Sequence, residues 1–477
     1  MEIHWLDLTI FIIYILSMLG IGLYFFRKNS STDEYYVGGR NMKPWHIGLS
    51  VVATDVGGGF SIGLGGLGFA TGISGSWMLF TGLLGAWMSA VFLIPRIFAI
   101  LKDKQLATFP GVLGQLFNPS VALAAGIISL IGYLGFTSSQ LLAGAKLASA
   151  TFPGLTSFEA LIFMGAVAVI YTVLGGMKAV VYTDTAQWMI LFGGLFLIGI
   201  PYGYHVLGGW EGISAVLPAS HFSLSNISVV QILNWFITIV PVWFIGMTLY
   251  QRIFACGNVK SARKAWYIAG VFEWPFMAFL GVVLGLFARA AYEQGLFTVA
   301  VSDPEMGLPL FLRNILPAGL MGLMMASYFS AVLSTADSCL MAASGNAVAD
   351  LIKPFKTLSE KAELKLSQYM TLALGLIAVL LAAGMQNVLE LMLLSYAFMV
   401  SGLLIPVLGG FIIKEPSPAA ALIAMIGGGL ITLTLSFSKL PLPYDLDANI
   451  FGLTASFVLF ILTHLFFRKS IEFKSYK

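Results

Sequence analysis

Two apolar stretches, far apart in the chain, carry groups that hydrocarbon does not tolerate alone. The first, Ala53-Thr54-Asp55-Val56-Gly57-Gly58-Gly59, sets a carboxylate beside three consecutive glycines. The second, Ala331-Val332-Leu333-Ser334-Thr335-Ala336-Asp337-Ser338, gathers three hydroxyls and another carboxylate. Carbonyls, hydroxyls and carboxylates are costly in lipid, so they face one another, a cavity or an ion. Near the middle of a bilayer, unwound backbone plus hydroxyls suits a small hard cation such as sodium. The pattern therefore predicts the two walls of a cation site inside a membrane.

Each element also has a plainer reading. Gly57, Gly58 and Gly59, followed by Gly63, Gly65, Gly66 and Gly68, exceed what a helix needs, and each glycine costs a helix about 1 kcal/mol relative to alanine. They mark either an unwound joint that frees carbonyls or close packing through small residues. Residues 63–68 match GxGxxG, but no strand precedes them and no acid follows at the spacing of a dinucleotide site. Asp55, some ten residues into its span, is either a functional acid or a cap for the second half of a broken helix. Ala331, Ser334, Thr335 and Ser338 share one helical face, with Asp337 at its edge. Bonding back to the preceding turn would account for the hydroxyls but not for Asp337. Thr183-Asp184-Thr185 reads as the N-cap of a helix, or as a further cation ligand or relay.

Other polar residues say less. Glu273, in Glu273-Trp274-Pro275, is expected half-buried beside a kink, and Lys146 and Arg289 near span ends are expected to snorkel. His205, His221 and His464 lack ligand spacing, and no Ser-His-Asp context appears, so no enzymatic centre is expected. Cys256 and Cys339 are too few for a disulfide framework.

The elements that position these residues follow from composition. Of 477 residues, 58% are hydrophobic and 10% charged, and mean hydropathy is +0.91. Soluble domains carry about a quarter charged residues. The fold class is therefore an all-α polytopic membrane protein, because the apolar runs are too long and unbroken for a porin-type barrel. A pass at about 20 residues per span gives about 13 helices. The second, near 46–69, and the ninth, near 317–349, would be discontinuous or kinked. The N-terminus lacks the basic n-region of a signal peptide, so the first apolar run is read as a retained helix. No soluble domain is expected in the loops.

All but four of the 25 Lys and Arg residues fall in alternate loops and the tail; the exceptions are Lys146, Arg289, Arg313 and Lys439. The positive-inside rule then puts the N-terminus outside and the C-terminus in the cytoplasm, which an odd helix count requires. No basic block interleaved with aromatics is present, so nucleic acid is not an expected partner.

With these residues in view, the chain resembles the sodium:solute symporter family, over nearly its whole length. The resemblance rests on Val37-Gly38-Gly39-Arg40-Asn41-Met42, on the stretch from Gly175 to Gln187, on Gln251-Arg252-Ile253-Phe254-Ala255 and on Ser334-Thr335-Ala336-Asp337-Ser338. It implies a leucine-transporter-like fold with a discontinuous first core helix. Residues 1–45 would form an extra helix and a cytoplasmic loop. A core at 46–413 would contain inverted five-helix repeats at about 46–205 and 231–413, and two helices and a short tail would occupy 414–477.

The resemblance further implies a main sodium site with carbonyls from Ala53, Val56 and Ala331 and hydroxyls from Ser334 and Thr335, with Asp55 in coupling. In some members a second sodium binds at positions matching Ser334, Asp337, Ser338 and Asp184; Asp337 stands where several members have serine. Gly58, Phe60, Trp77, Tyr133, Gln140, Trp243 and Met247 fall where family pockets sit. That lining is aromatic and nearly uncharged, which ranks an amino acid or amine-like zwitterion first, a small carboxylate second and a sugar third. The partners are then a small organic solute, the coupling ion Na+ and the bilayer, with a monomer sufficient for transport. Proton-coupled symport, or a sensor or channel on the same fold, are the rival readings.

Overall fold

The computed structural model describes residues 4–26, 32–101, 106–152, 154–297, 300–438 and 440–475. Among them there is no β-strand, as expected where every backbone group must be satisfied within its own segment. The helices that matter here are α1 (Trp5–Phe26), α2 (Pro44–Asp55), α3 (Gly58–Thr71), α4 (Trp77–Met88), α5 (Pro119–Thr151), α6 (Ser157–Gly193), α7 (Val229–Ile245), α8 (Met247–Ala255), α9 (Val259–Val271), α10 (Ala278–Glu293), α11 (Leu320–Gly345), α12 (Glu360–Ala383), α13 (Val388–Ile412), α14 (Pro418–Ser438) and α15 (Ala448–Ser475). Several starts carry local signals. Asn118 caps α5, Thr156 with Glu159 forms a capping box on α6, and Asn258 and Ser359 cap α9 and α12.

Among the described residues, nine helices are long and apolar enough to cross a membrane, and a tenth if α7 and α8, bent by 41°, count as one span. α11 sits at the centre, packed on α5, α6, α1 and α2. All but two of its residues are buried.

Two helices are broken where the site lies. α2 ends at Asp55, and Gly57 (φ −51°, ψ −168°) turns the chain before α3. A Cβ on Gly57 would overlap the Thr335 side chain, and one on Gly58 would overlap Val332. These glycines therefore bring the break into contact with α11, so the unwound-joint and close-packing readings both hold at this point. The second break is at Gly246, which adopts an extended conformation (φ −67°, ψ 115°) between α7 and α8.

The ninth apolar segment departs from expectation. α11 runs as regular helix through Ser334–Ser338 and only beyond Gly345 passes into a π-helical turn, Asn346–Ile352. A helical register is what places the Ser334, Thr335 and Ser338 hydroxyls on one face. Asp184 is no N-cap either. The break in that region is at Gly176 (φ 64°), and Asp184 lies two turns further along α6, fully buried.

Lys146 does not snorkel. It is buried and pairs at 2.6 Å with both Asp303 and Glu305. Glu305 in turn accepts from the first amides of α13, Val388 N (3.1 Å) and Leu389 N (2.9 Å). A carboxylate at a helix N-terminus is favoured by the macrodipole and the unpaired amides. Arg289 pairs with Glu293 at 2.7 Å and lies over the Phe69 ring.

Candidate cation and solute site

Where a helix stops, its last carbonyls lose their amide partners. At the end of α2 the Ala53 carbonyl accepts instead from two side chains of α11, Ser334 Oγ and Thr335 Oγ1, each at 3.1 Å. The same hydroxyls lie 3.0 and 3.4 Å from the Ala331 carbonyl. Four oxygens thus converge from two helices. Ala53, Val56, Ala331 and Ser334 also line one narrow cleft, too tight for a water, that reaches Gln187 and Ser330. All five residues placed in the main sodium set by sequence therefore meet at the α2–α3 break. A hydroxyl that donates to a carbonyl can turn its lone pairs to a cation instead, and an all-oxygen, uncharged set of this kind suits a hard monovalent ion.

One turn along α11 lies a second polar cluster, organised by Arg252. Its guanidinium is fully buried in α8. Nη2 donates to Asp184 Oδ2 at 3.0 Å, to Ser338 Oγ at 2.8 Å and to Thr54 Oγ1 at 2.5 Å. Nε donates to Ser50 Oγ at 2.9 Å, and Nη1 to the Thr248 carbonyl at 3.2 Å. Ser50 also hydrogen-bonds Asp184. Nη2 shares its two N–H groups among three acceptors, and the planar fork spans all five partners as an ammonium would not. Asp337 stands beside Ser338, whose Oγ lies 3.3 Å from its Oδ1. Asp184 Oδ1 and Asp337 Oδ2 receive no donor. Lys178 serves neither carboxylate, since it pairs with Glu34 at 2.7 Å.

The residues placed in the solute pocket by sequence are not all gathered. Tyr133 hydroxyl accepts from Thr248 N at 3.2 Å and lies 3.1 Å from Thr248 Oγ1, which puts it at the Gly246 break. Trp243, fully buried on α7, lies where a Cβ on Gly85 of α4 would fall. Gln140 is buried on α5, and Gly58 touches Val332. Trp77 is elsewhere, donating to the Leu224 carbonyl of the 223–228 loop at 2.9 Å. Met247 points the other way, its sulfur accepting from Phe109 N at 3.2 Å. The Phe60 side chain lies outside the described residues.

Three residues named in the sequence reading were given no role there. Arg252 follows Tyr250-Gln251 and passes for a loop cation in the charge count. Gln187 belongs to the motif quoted above, and its spacing of three from Asp184 puts both on one helix face. Its Nε2 donates to Tyr14 hydroxyl at 3.2 Å while its Oε1, buried at the cleft, has no donor. Glu273 is fully buried rather than half-buried, and faces Asp55.

A model of the sodium:solute symporter family matches residues 35–428. The chain belongs to that family. The osmoregulated proline transporter OpuE of Bacillus subtilis is 29% identical over 469 residues, covering 94% of both chains. The sodium/proline symporter of Escherichia coli is 29% identical over 407 residues, covering 82% of this chain and 79% of the relative. A solved structure of a Na+-coupled sialic acid symporter, substrate-bound and outward-open, matches with a TM-score of 0.81 at 20% identity, over 97% of this chain and 98% of that one. That likeness shows the fold. The symporter is thus a multi-pass membrane protein that couples a small solute to sodium, and not an enzyme.

Proposed function

We propose that this symporter imports an amino acid or amine-like zwitterion by sodium-driven alternating access. The main sodium site is formed by the carbonyls of Ala53, Val56 and Ala331 with the hydroxyls of Ser334 and Thr335. The observation that carries this reading is the pair of α11 hydroxyls aimed at the Ala53 carbonyl where α2 ends. Sodium bound there ties the broken helix to α11 and favours the outward-facing state; a bound solute then permits inward rocking. One charge moving through 100 mV is worth about 2.3 kcal/mol, roughly 50-fold in solute accumulation.

Two relatives named above are proline transporters, which supports an amino acid over a carboxylate or sugar. Purified protein in proteoliposomes should take up labelled L-proline under an inward sodium gradient, and not when choline replaces sodium. Sodium-driven uptake of glucose or lactate with no uptake of any amino acid or amine would overturn the solute class.

At the second position Arg252 supplies a built-in cation to Asp184 and Ser338, in place of a second sodium between those two residues. The core comprises inverted repeats at about 46–205 and 231–413 within about 13 spans. A break in the first helix of each repeat, at Gly57 and Gly246, supports this division. The charge bias supports an outside N-terminus. A Glu2→Cys variant should then react with an impermeant thiol reagent on intact cells; labelling only after lysis would reverse the orientation.

A further inference from the structure

The end of α11 is clamped to α5. Beyond Gly345, in the π-helical turn Asn346–Ile352, Asn346 Nδ2 donates to Ser129 Oγ at 2.6 Å. One turn on, Asp350 is buried against Gly126, where an added Cβ would stand 2.9 Å from the Asp350 Cβ. Gly126 and Ser129 are three residues apart on α5, so one face of that helix holds both residues. Asp350 then reaches a different segment. Its Oδ1 accepts from Thr108 Oγ1 at 2.7 Å.

Thr108 bonds in two directions. Its Oγ1 also accepts from Gly111 N at 3.1 Å and so caps the short helix Phe109–Leu116. An acid beside that N-terminus is favoured by the helix dipole. The next residue, Phe109, is fully buried. Its amide donates to Met247 Sδ at 3.2 Å, and its ring lies 4.8 Å from that of Tyr250. Met247 and Tyr250 belong to the first turn of α8, just past the Gly246 break where α8 bends by 41° from α7. Two residues further on, Arg252 gathers Ser50, Thr54, Asp184 and Ser338.

The two ends of this run of contacts differ in strength. A hydroxyl donating to a carboxylate makes a charge-assisted bond. A thioether is a weak acceptor, and the rest of the Phe109 contact is apolar packing. The α8 end therefore parts first.

Resting on the alternating access and membrane orientation proposed above, we propose that Asp350 is a positioning residue for the cytoplasmic gate. Through Thr108 it sets Phe109 as the stop against which the half-helix α8 closes. The stop stays with α5 and α11 when α8 swings out about Gly246. It guides α8, and Arg252 with it, back to the Asp184–Ser338 cluster when the cytoplasmic side shuts.

The test follows Cys339 in full-length protein carrying Cys256→Ser, which leaves a single cysteine. Cys339 is fully buried near Arg252 and Tyr133, so a membrane-impermeant maleimide reaches it from the cytoplasm when α8 swings out. In inside-out membrane vesicles without sodium, Asp350→Ala and Thr108→Val should each speed labelling at least about fivefold, the order of one charge-assisted hydrogen bond. The sodium that half-protects Cys339 should rise by a similar factor, because sodium favours the outward-facing state. Thr108→Ser keeps the hydroxyl and should label as wild type. Asp350→Asn keeps an acceptor and should lie closer to wild type than to Asp350→Ala. Saturating sodium should still protect all four variants, which a merely destabilised fold would not allow. The inference is overturned if Asp350→Ala and Thr108→Val label as wild type, if their labelling rises alike with and without saturating sodium, or if Thr108→Ser behaves as Thr108→Val. Faster labelling in intact cells than in inside-out vesicles would overturn the cytoplasmic assignment, and the Glu2→Cys result then tells whether the orientation itself was wrong. If sodium fails to protect wild type, the sodium-driven reading above falls, while the sodium-free comparison still decides the role of Asp350.

Discussion

Arg252→Ala should abolish transport and sharply reduce the yield of folded protein. The guanidinium is wholly buried and serves Asp184, Ser338, Thr54, Ser50 and the Thr248 carbonyl at once. Removing it leaves Asp184 as an uncompensated charge between α6, α8 and α11, and breaking a buried pair in this way costs about 3–5 kcal/mol. Arg252→Lys keeps the charge but offers one ammonium where five hydrogen bonds diverge, so stability should fall less and transport should still be impaired. Neutralising the partner should help. Arg252→Met combined with Asp184→Asn should recover more folded protein than Arg252→Met alone, because Asp184 no longer leaves an unpaired charge. Melting temperature in detergent and yield of monodisperse protein report the order. An Arg252→Ala protein that folds and transports normally would show that Asp184 does not depend on it.

The second large effect is expected from Ser334→Ala combined with Thr335→Ala. Both hydroxyls leave the Ala53 carbonyl, and any sodium there keeps only backbone oxygens. Each lost ligand is comparable to a hydrogen bond to a charged group, about 1.5–3 kcal/mol. The sodium concentration for half-maximal uptake should therefore rise at least about tenfold, while α11 stays helical because alanine is the better helix former. Ser334→Ala alone should fall between. Unchanged sodium activation in the double variant would remove these residues from the ion path.

The parts legible in sequence were those with a strong local cause. The α2–α3 break announces itself by three glycines in a row beside an acid, and the α11 face by hydroxyls at helical spacing. Long apolar runs marked the spans. Features that depend on a distant partner were not legible. The Gly246 break is a single glycine among bulky residues, and glycine alone is common in membrane helices. Arg252 sits at the end of an apolar run, where a solvated loop cation and a buried one look alike. Its burial becomes clear only when α8 meets Ser50 and Thr54 of α2 and Asp184 of α6. Glu273 likewise acquires meaning from Asp55, more than 200 positions earlier in the chain. The expectation of a kinked ninth span failed because polar residues in a membrane helix need not unwind it. The α11 hydroxyls instead satisfy carbonyls of their own turn and of α2.

Trp77 and Met247 show the limit of placing a pocket by position along the chain. Both are aromatic or soft apolar residues at plausible depths, yet Trp77 is engaged with the Leu224 carbonyl and Met247 with Phe109 N. A residue's depth follows from sequence; the helix face it presents depends on neighbours that sequence does not name.

The most direct test of the central claim is equilibrium binding of 22Na+ to the purified protein, wild type against Ser334→Ala/Thr335→Ala. The account predicts saturable binding of about one sodium per chain in wild type, as expected for a single midplane site, and loss of that binding over the same concentration range in the double variant. Undiminished sodium binding by a folded double variant would contradict it.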